Sequence, residues 1–418
     1  MRSSKAEKIR QVKTNSLIVT FDIGKTVHYA YFRSPGGSDI KPFRVFNTRR
    51  SYNQFWSKMI QFKNQHGLDE VIIGFESTGP YAEPLFHYLK DKPVKTVQVN
   101  PLHTKRIKEL TGNSPNKTDR KDPRVIADVI YLGHALTLVV PQGPAAQLRR
   151  LAHARERSIK KRTADLNQLQ DLIYVIFPEF LQIFKDISTK TARYLITNYP
   201  SPEAIVQVGI EPLATMMKKV SRGRINTARA EALYRAACTS IGLIEGKEAI
   251  LIEINHLISR IESEDEFVKN IEDQMCEQLE HIPYTDSILS IKGIGAVTAA
   301  GLIGEVGDFR KFKTISEIMK LAGLDLYEIS SGRHRGRRRI SKRGRSLMRK
   351  LLFFAAINSV KRGGVMHESY QRILDNGTIK MKALTAVSRK LLRIIFAVIR
   401  DNTEYMDNYQ AHRYKLAA

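Results

Sequence analysis

Two apolar runs, SLIVTFDIG at 16–24 and VHYAYFRS at 27–34, place only four residues between Asp22 and Val27. A link that short cannot carry a crossover, so the runs must pair as an antiparallel hairpin. IKPFRVFNT at 40–48 adds a third strand beyond the turn signal Pro35-Gly36-Gly37. A helical pattern then runs from about Arg50 to Gln65, followed by the buried strand VIIGFE that ends on Glu76. Thr78-Gly79-Pro80 opens the next helix with proline in its first turn, and VKTVQVN at 94–100 is a fifth strand. Antiparallel strands followed by helix–strand–helix–strand predict a mixed α/β sheet.

Two of these strands end on acids, Asp22 and Glu76. Ligands bind at the carboxyl ends of strands in an open α/β sheet. If the two strands are neighbours, both carboxylates point at one spot. Hard oxygen donors there suit Mg²⁺, or Mn²⁺, and such ions clamp the oxygens of a phosphoryl displacement. Acids also simply end strands, and for either residue alone that is the stronger reading. Downstream lies NSPNKTDRKDPRVIADVIYLG, with Asp119 and Asp122 three apart. Pro123 keeps the residue before it out of the helix, so Asp122 reads as the N-cap, Pro123 as the first helical residue and Asp119 as loop. Asp128, further along that helix, is a weaker candidate ligand.

From Ala145 the pattern is helical. Ile159, Leu166, Leu169, Ile173 and Ile176 hold heptad positions on a basic helix. Ile250, Ile254, Leu257, Ile261, Val268, Ile271 and Met275 do so on an acidic one. Opposite charges on sustained heptads predict a coiled coil between the two, within a chain or between chains. Shorter helices fill 180–245. Lys and Arg number 68 against 42 Asp and Glu, a net charge of +26. A surplus that large points to nucleic acid or an anionic membrane surface. No apolar stretch is long enough to span a bilayer. Two cysteines, Cys238 and Cys276, fall in helical patterns and read as reduced, structural thiols of a cytoplasm-like compartment. The histidines show no zinc spacing.

The densest charge lies between Arg333 and Lys350, where ten of eighteen residues are Lys or Arg: Arg333, Arg335, Arg337, Arg338, Arg339, Lys342, Arg343, Arg345, Arg349 and Lys350. Cations packed this closely suit phosphates, each contact releasing a condensed counterion. Ser330-Ser331-Gly332 precedes them. A serine on a glycine-loosened turn beside such charge could attack a phosphodiester; the competing reading is a turn ahead of a basic helix capped by Ser341. Upstream, Gly293-Ile294-Gly295 opens an apolar helix in the manner of a helix-hairpin-helix turn, which offers backbone N–H groups to a phosphate.

Taken in order, strand-Asp, strand-Glu, K-T-D-x-x-D before a helix, a helical connector, I-x-G-I-G, A-G-L and S-G with R-I-S-K-R-G, these signals resemble the DEDD insertion-sequence transposases, the bridge-RNA-guided serine recombinases related to the Piv DNA invertase. The resemblance runs from about Leu17 to Asn402; it assigns no role to 180–245. It implies a RuvC-like (RNase H-like) domain whose tetrad would be Asp22, Glu76, Asp119 and Asp122, binding Mg²⁺ with Mn²⁺ as alternative. It implies a nucleophilic serine before a glycine, which matches Ser331, with Ser330 as competitor. Family members often carry alanine where this chain has Pro123. The resemblance further implies recombination of donor and target DNA through a phosphoserine link, a structured guide RNA, and a homo-oligomer, a dimer or a tetramer on DNA, that joins one subunit's serine to another's metal site.

The expected organisation is a basic disordered arm at 1–15, a RuvC-like domain at 16–140, a helical connector with the coiled coil at 141–281, and a C-terminal helical transposase domain at 282–418. The expected place is the cytoplasm, at the nucleoid. The alternative function is a RuvC-like metal-dependent nuclease or junction resolvase with water as nucleophile. A non-catalytic nucleic-acid-binding protein, its acids only capping helices and ending strands, is the third reading.

Overall fold

The computed structural model describes residues 12–76, 79–111, 122–328, 330–331, 334–336 and 338–407 of the 418-residue chain. They fall into two compact units, 1–139 and 140–418.

In the first unit, β1 (Ser16–Asp22), β2 (Val27–Arg33), β3 (Phe43–Phe46), β4 (Glu70–Glu76), β5 (Lys95–Val99) and β6 (Leu136–Thr137) form one sheet in the order β3-β2-β1-β4-β5-β6. The short link has the predicted effect: β1 and β2 run antiparallel, with Asp22 opposite Tyr29. β3 is antiparallel to β2, while β4 lies parallel to both β1 and β5. This is the mixed α/β sheet expected from the strand order.

β1 is buried from Ser16 to Phe21, and mostly apolar, because both faces of its sheet are covered. Leu17, Val19 and Phe21, with Val71, Ile73 and Phe75 of β4, pack in a core that includes α1 (Arg49–Gln65) and α2 (Glu83–Leu89). Thr48 starts α1 by accepting the Ser51 amide at 3.3 Å. The helix buries Tyr52, Phe55, Met59 and Phe62 at helical spacing. Ile18 and Ile72 face the other way, into a core with Val97 and Val99 and with Ile126, Ala127, Val129 and Ile130 of α4 (Asp122–Tyr131), which follows α3 (Pro101–Thr111). α4 lies so close to the sheet that a Cβ on Gly74 would come 2.2 Å from Ile130 Cδ1. Of the expected N-terminal arm, residues 1–11 lie outside the described residues. The chain is already tied down before 16: Asn15 donates to Asp69 Oδ2 at 2.7 Å, and Lys13 pairs with Glu70.

The second unit is helical. Its longest elements, α5 (Pro144–Ile176) and α6 (Lys247–Glu280), run antiparallel within the chain. Their opposite charges meet rung by rung: Arg155 with Glu272, Lys161 with Glu264, Arg162 with Asp265, and Asp165 with Arg260. Five short helices between Phe180 and Cys238 share a core with Leu169, Ile173 and Ile176 of α5 and Ile254, Leu257 and Ile261 of α6. The opposite ends of the same pair, through Leu148, Ala152, Ile271, Met275 and Leu279, belong to the C-terminal core.

That core holds α7 (Thr285–Leu289), α8 (Ala296–Val306), α9 (Ile315–Ala322), α10 (Ser346–Ser359), α11 (His367–Asp375) and α12 (Lys380–Asp401). Between α9 and α10 four two-residue strands, β7 (Leu326–Tyr327), β8 (Ser330–Ser331), β9 (His334–Arg335) and β10 (Arg339–Ile340), build a ribbon: β7 pairs with β10, and β8 with β9. Both cysteines are free, and both are exposed, so neither packs into a core. Among the described residues no helix is long and apolar enough to cross a membrane.

Candidate active site

Asp22 and Glu76 close two neighbouring parallel strands. Phe21 stands beside Phe75 in the β1–β4 register, so the next residue of each strand leaves the sheet at the same edge. Side chains alternate along a strand. Since Phe21 and Phe75 face the α1 core, Asp22 and Glu76 project on the opposite, α4 side. α4 begins at that edge: the Thr20 hydroxyl donates to the Pro123 carbonyl at 2.6 Å, two residues before Asp22. This bond draws the start of α4, and with it Asp122, toward the strand ends. Asp122 is 8% exposed, the first residue of the helix rather than a cap outside it. Asp119 lies outside the described residues. Asp128, the weaker candidate, is spent elsewhere: Arg33 Nη1 sits 2.5 Å from its carboxylate and fastens α4 to β2.

Two residues of α3 that sequence reasoning missed touch these acids. Thr104, 2% exposed, donates to Glu76 Oε2 at 3.2 Å and shares its proton with the Pro101 carbonyl at 2.8 Å. Lys108, one turn on, places its ammonium 2.5 Å from Asp122 Oδ1. Their only signal in the sequence is a hydroxyl and a cation four apart on the helix that follows β5. Among the described residues no three His, Cys, Asp or Glu side chains gather closely enough to hold one metal ion. The donors nevertheless fit a hard divalent cation in kind, being carboxylate oxygens at adjacent strand ends on one face. Asp122 already draws a positive group to that spot.

The basic segment is a ribbon rather than a helix with Ser341 as its cap. Ser341 instead locks the ribbon's base, donating its amide to the Asp325 carbonyl at 2.9 Å and its hydroxyl to Asp325 Oδ1 at 2.5 Å. α10 starts only at Ser346. Ser330 pairs with Arg335, and Ser331 with His334, across the ribbon's tip. Arg333 and Arg337 lie outside the described residues. Arg338, Arg339, Lys342 and Arg343 are exposed, and Arg338 pairs with Glu328 at 2.9 Å.

Arg345 differs from its exposed neighbours in being largely buried. Its side chain turns inward, donates to the Glu305 carbonyl and lies 3.9 Å from the Glu305 carboxylate. Burial, and then Arg149 nearby, brings its pKa down to about 10. Burial of Glu305 would raise its carboxyl, but the hydrogen bond with His153 at 2.8 Å and the charges of Arg345 and Arg149 hold it below its usual range. The Gly293-Ile294-Gly295 turn leads into α8, with Gly295 at the N-cap position. Gly293 has φ 104°, and a Cβ there would lie 2.5 Å from Ser359 Oγ, so the turn is also pinned by packing on α10.

Two family models match the chain. A DEDD transposase model of the IS110 type spans residues 19–178, and one for transposases of the IS116/IS110/IS902 family spans 285–371. Between them they cover more than half of the chain and leave out the short helices after α5. The insertion element IS116 uncharacterized 44.8 kDa protein of Streptomyces clavuligerus is 27% identical over 286 residues, 68% of this chain and 71% of its own length. The insertion element IS110 uncharacterized 43.6 kDa protein of Streptomyces coelicolor is 24% identical over 387 residues, 92% of this chain and 94% of its own. The transposase for insertion sequence element IS1111A of Coxiella burnetii is 23% identical over 318 residues, 75% of this chain and 73% of its own.

Proposed function

The chain is a transposase of the IS110/IS116 DEDD family, and from that premise we propose that its sheet unit cleaves DNA strands with a divalent ion held by Asp22, Glu76, Asp119 and Asp122. The observation that carries the proposal is the side-by-side exit of Asp22 and Glu76 toward the start of α4. Mg²⁺ is the proposed ion, with Mn²⁺ able to replace it. When bound, such an ion neutralises charge on the phosphodiester and lowers the pKa of a bound hydroxyl. The protein's own part is orientation. β1 and β4 fix two carboxylates by sheet register, Thr104 holds one oxygen of Glu76, and the Thr20–Pro123 bond sets where Asp122 begins.

Water is the first candidate nucleophile, in keeping with a family named for its acids alone. Ser331 is the second, favoured by its place at the tip of an arginine-bearing ribbon. As nucleophile its oxygen would bond to phosphorus while the 3′ or 5′ oxygen of the cut strand leaves with a proton, conserving the phosphodiester's bond energy for rejoining. Donor and target DNA are the proposed partners; a structured RNA is a further proposed one, and RNA recovered with the purified chain, absent after nuclease treatment, would test it.

Asp22→Ala and Glu76→Ala are each expected to abolish cleavage while DNA binding persists. Cleavage at the normal rate by Asp22→Ala would overturn the metal site. Denaturing trapping of protein on cleaved DNA then separates the nucleophiles. An adduct at 330–331 that is lost in Ser331→Ala selects the serine. Its absence beside normal cutting by Ser331→Ala selects water.

A further inference from the structure

We propose that Lys108 is the built-in counter-ion of the acidic site and competes with the divalent ion for Asp122. The inference rests on the metal-holding role proposed for Asp122 and goes beyond it by naming what that carboxylate does when no ion is bound. Three observations carry it. The Lys108 ammonium stands 2.5 Å from Asp122 Oδ1. The Asp122 side chain is 11% exposed and that of Lys108 35%, so little water reaches the carboxylate to replace the contact. The same helix that brings Lys108 also brings Thr104 to Glu76, so α3 is aligned along the edge where the acids leave the sheet.

The two contacts differ in kind. A hydroxyl bonded to Glu76 leaves that carboxylate its full negative charge, and the charge remains available to a metal. An ammonium on Asp122 cancels the charge outright. A second cation placed at the same carboxylate meets both a weakened donor and a like charge. The divalent ion therefore has to displace Lys108 or bind more weakly in its presence. The Arg33–Asp128 pair on the same helix shows the contrast. It is equally short at 2.5 Å, but it joins α4 to β2 away from the carboxyl ends of β1 and β4, with Arg33 opposite Ile18, and restrains no proposed ligand.

Mn²⁺ binding to the full-length chain in the absence of DNA tests this, read from the paramagnetic signal of free Mn²⁺. Lys108→Met is expected to bind Mn²⁺ roughly tenfold tighter, the scale of one lost charged hydrogen bond. Its metal-free form should melt earlier than the wild type and gain more from added Mn²⁺. Lys108→Arg, which keeps the charge, should bind as the wild type does. Thr104→Val, which removes a hydroxyl without removing charge, should not tighten binding. Unchanged or weaker Mn²⁺ binding by a folded Lys108→Met overturns the competition. If that variant does not fold, Lys108→Gln is read in its place by the same criterion. If neither the wild type nor Lys108→Met takes up Mn²⁺, or if Asp22→Ala binds it undiminished, the metal reading itself fails, which is a separable result.

Discussion

Glu305 shows how one carboxylate can hold a basic segment in place. At 2% exposure it faces His153, Arg345 and Arg149, and its pKa is held below the usual range. A carboxyl with a depressed folded pKa adds stability above its unfolded pKa and loses it as pH falls through the folded one. The second unit should therefore weaken below about pH 4.5, the unfolded value. Glu305→Gln should cost about 3 kcal/mol at pH 7, since it leaves a buried guanidinium without its partner. The gap between variant and wild type should narrow as pH drops, which denaturant melts at pH 7 and pH 3.5 would show. At this scale the sequence placed Asp22 and Glu76 at strand ends, because a strand's last residue is legible from where the apolar run stops. It did not set Arg345 apart. Within a basic run every arginine looks alike, and only a partner forty residues upstream turns one of them inward.

Among the elements, α8 meets α5 closely. A Cβ on Gly304 would stand 2.6 Å from the Arg149 backbone nitrogen, so Gly304→Ala must push two helices apart. The expected loss is about 1–3 kcal/mol, as in overpacked cores, and a thermal melt reads it; an unchanged melt would show that the crossing can relax. The heptads of α5 and α6 were legible because they repeat over many turns, and so was their charge complement. Whether they paired within or between chains was not, since heptads do not record which chain supplies the partner. The ribbon at 326–340 was hidden for another reason: strands of two residues are too short to show a period of two, and dense arginine masks what remains. Its base is fixed by single contacts such as Ser341 with Asp325, which carry no pattern at all.

For the molecule as a whole, residues 1–139 form their own unit and should fold as a separate fragment. Leu257→Glu with Ile261→Glu, at positions each 1% exposed, should unfold the second unit of the full chain while the melting transition of the isolated 1–139 fragment is still seen in it. Sharing of the active site between subunits is a matter for mixing. If Ser331 serves the acids of another copy, Ser331→Ala and Asp22→Ala proteins should regain some recombination together that neither shows alone. No recovery would place serine and acids in one chain, or leave the serine without a role. The expected border at 281 has a physical counterpart that is less than a boundary. α5 is 33 residues long, about 50 Å of helix, and it and α6 each supply side chains to both helical cores. Two cores threaded on the same pair of rods cannot lose order independently, because melting either one strips half the lining from a helix the other still needs. The second unit should absorb heat in a single peak, so that damage among the short helices at one end is felt as lost cooperativity at the ribbon's end.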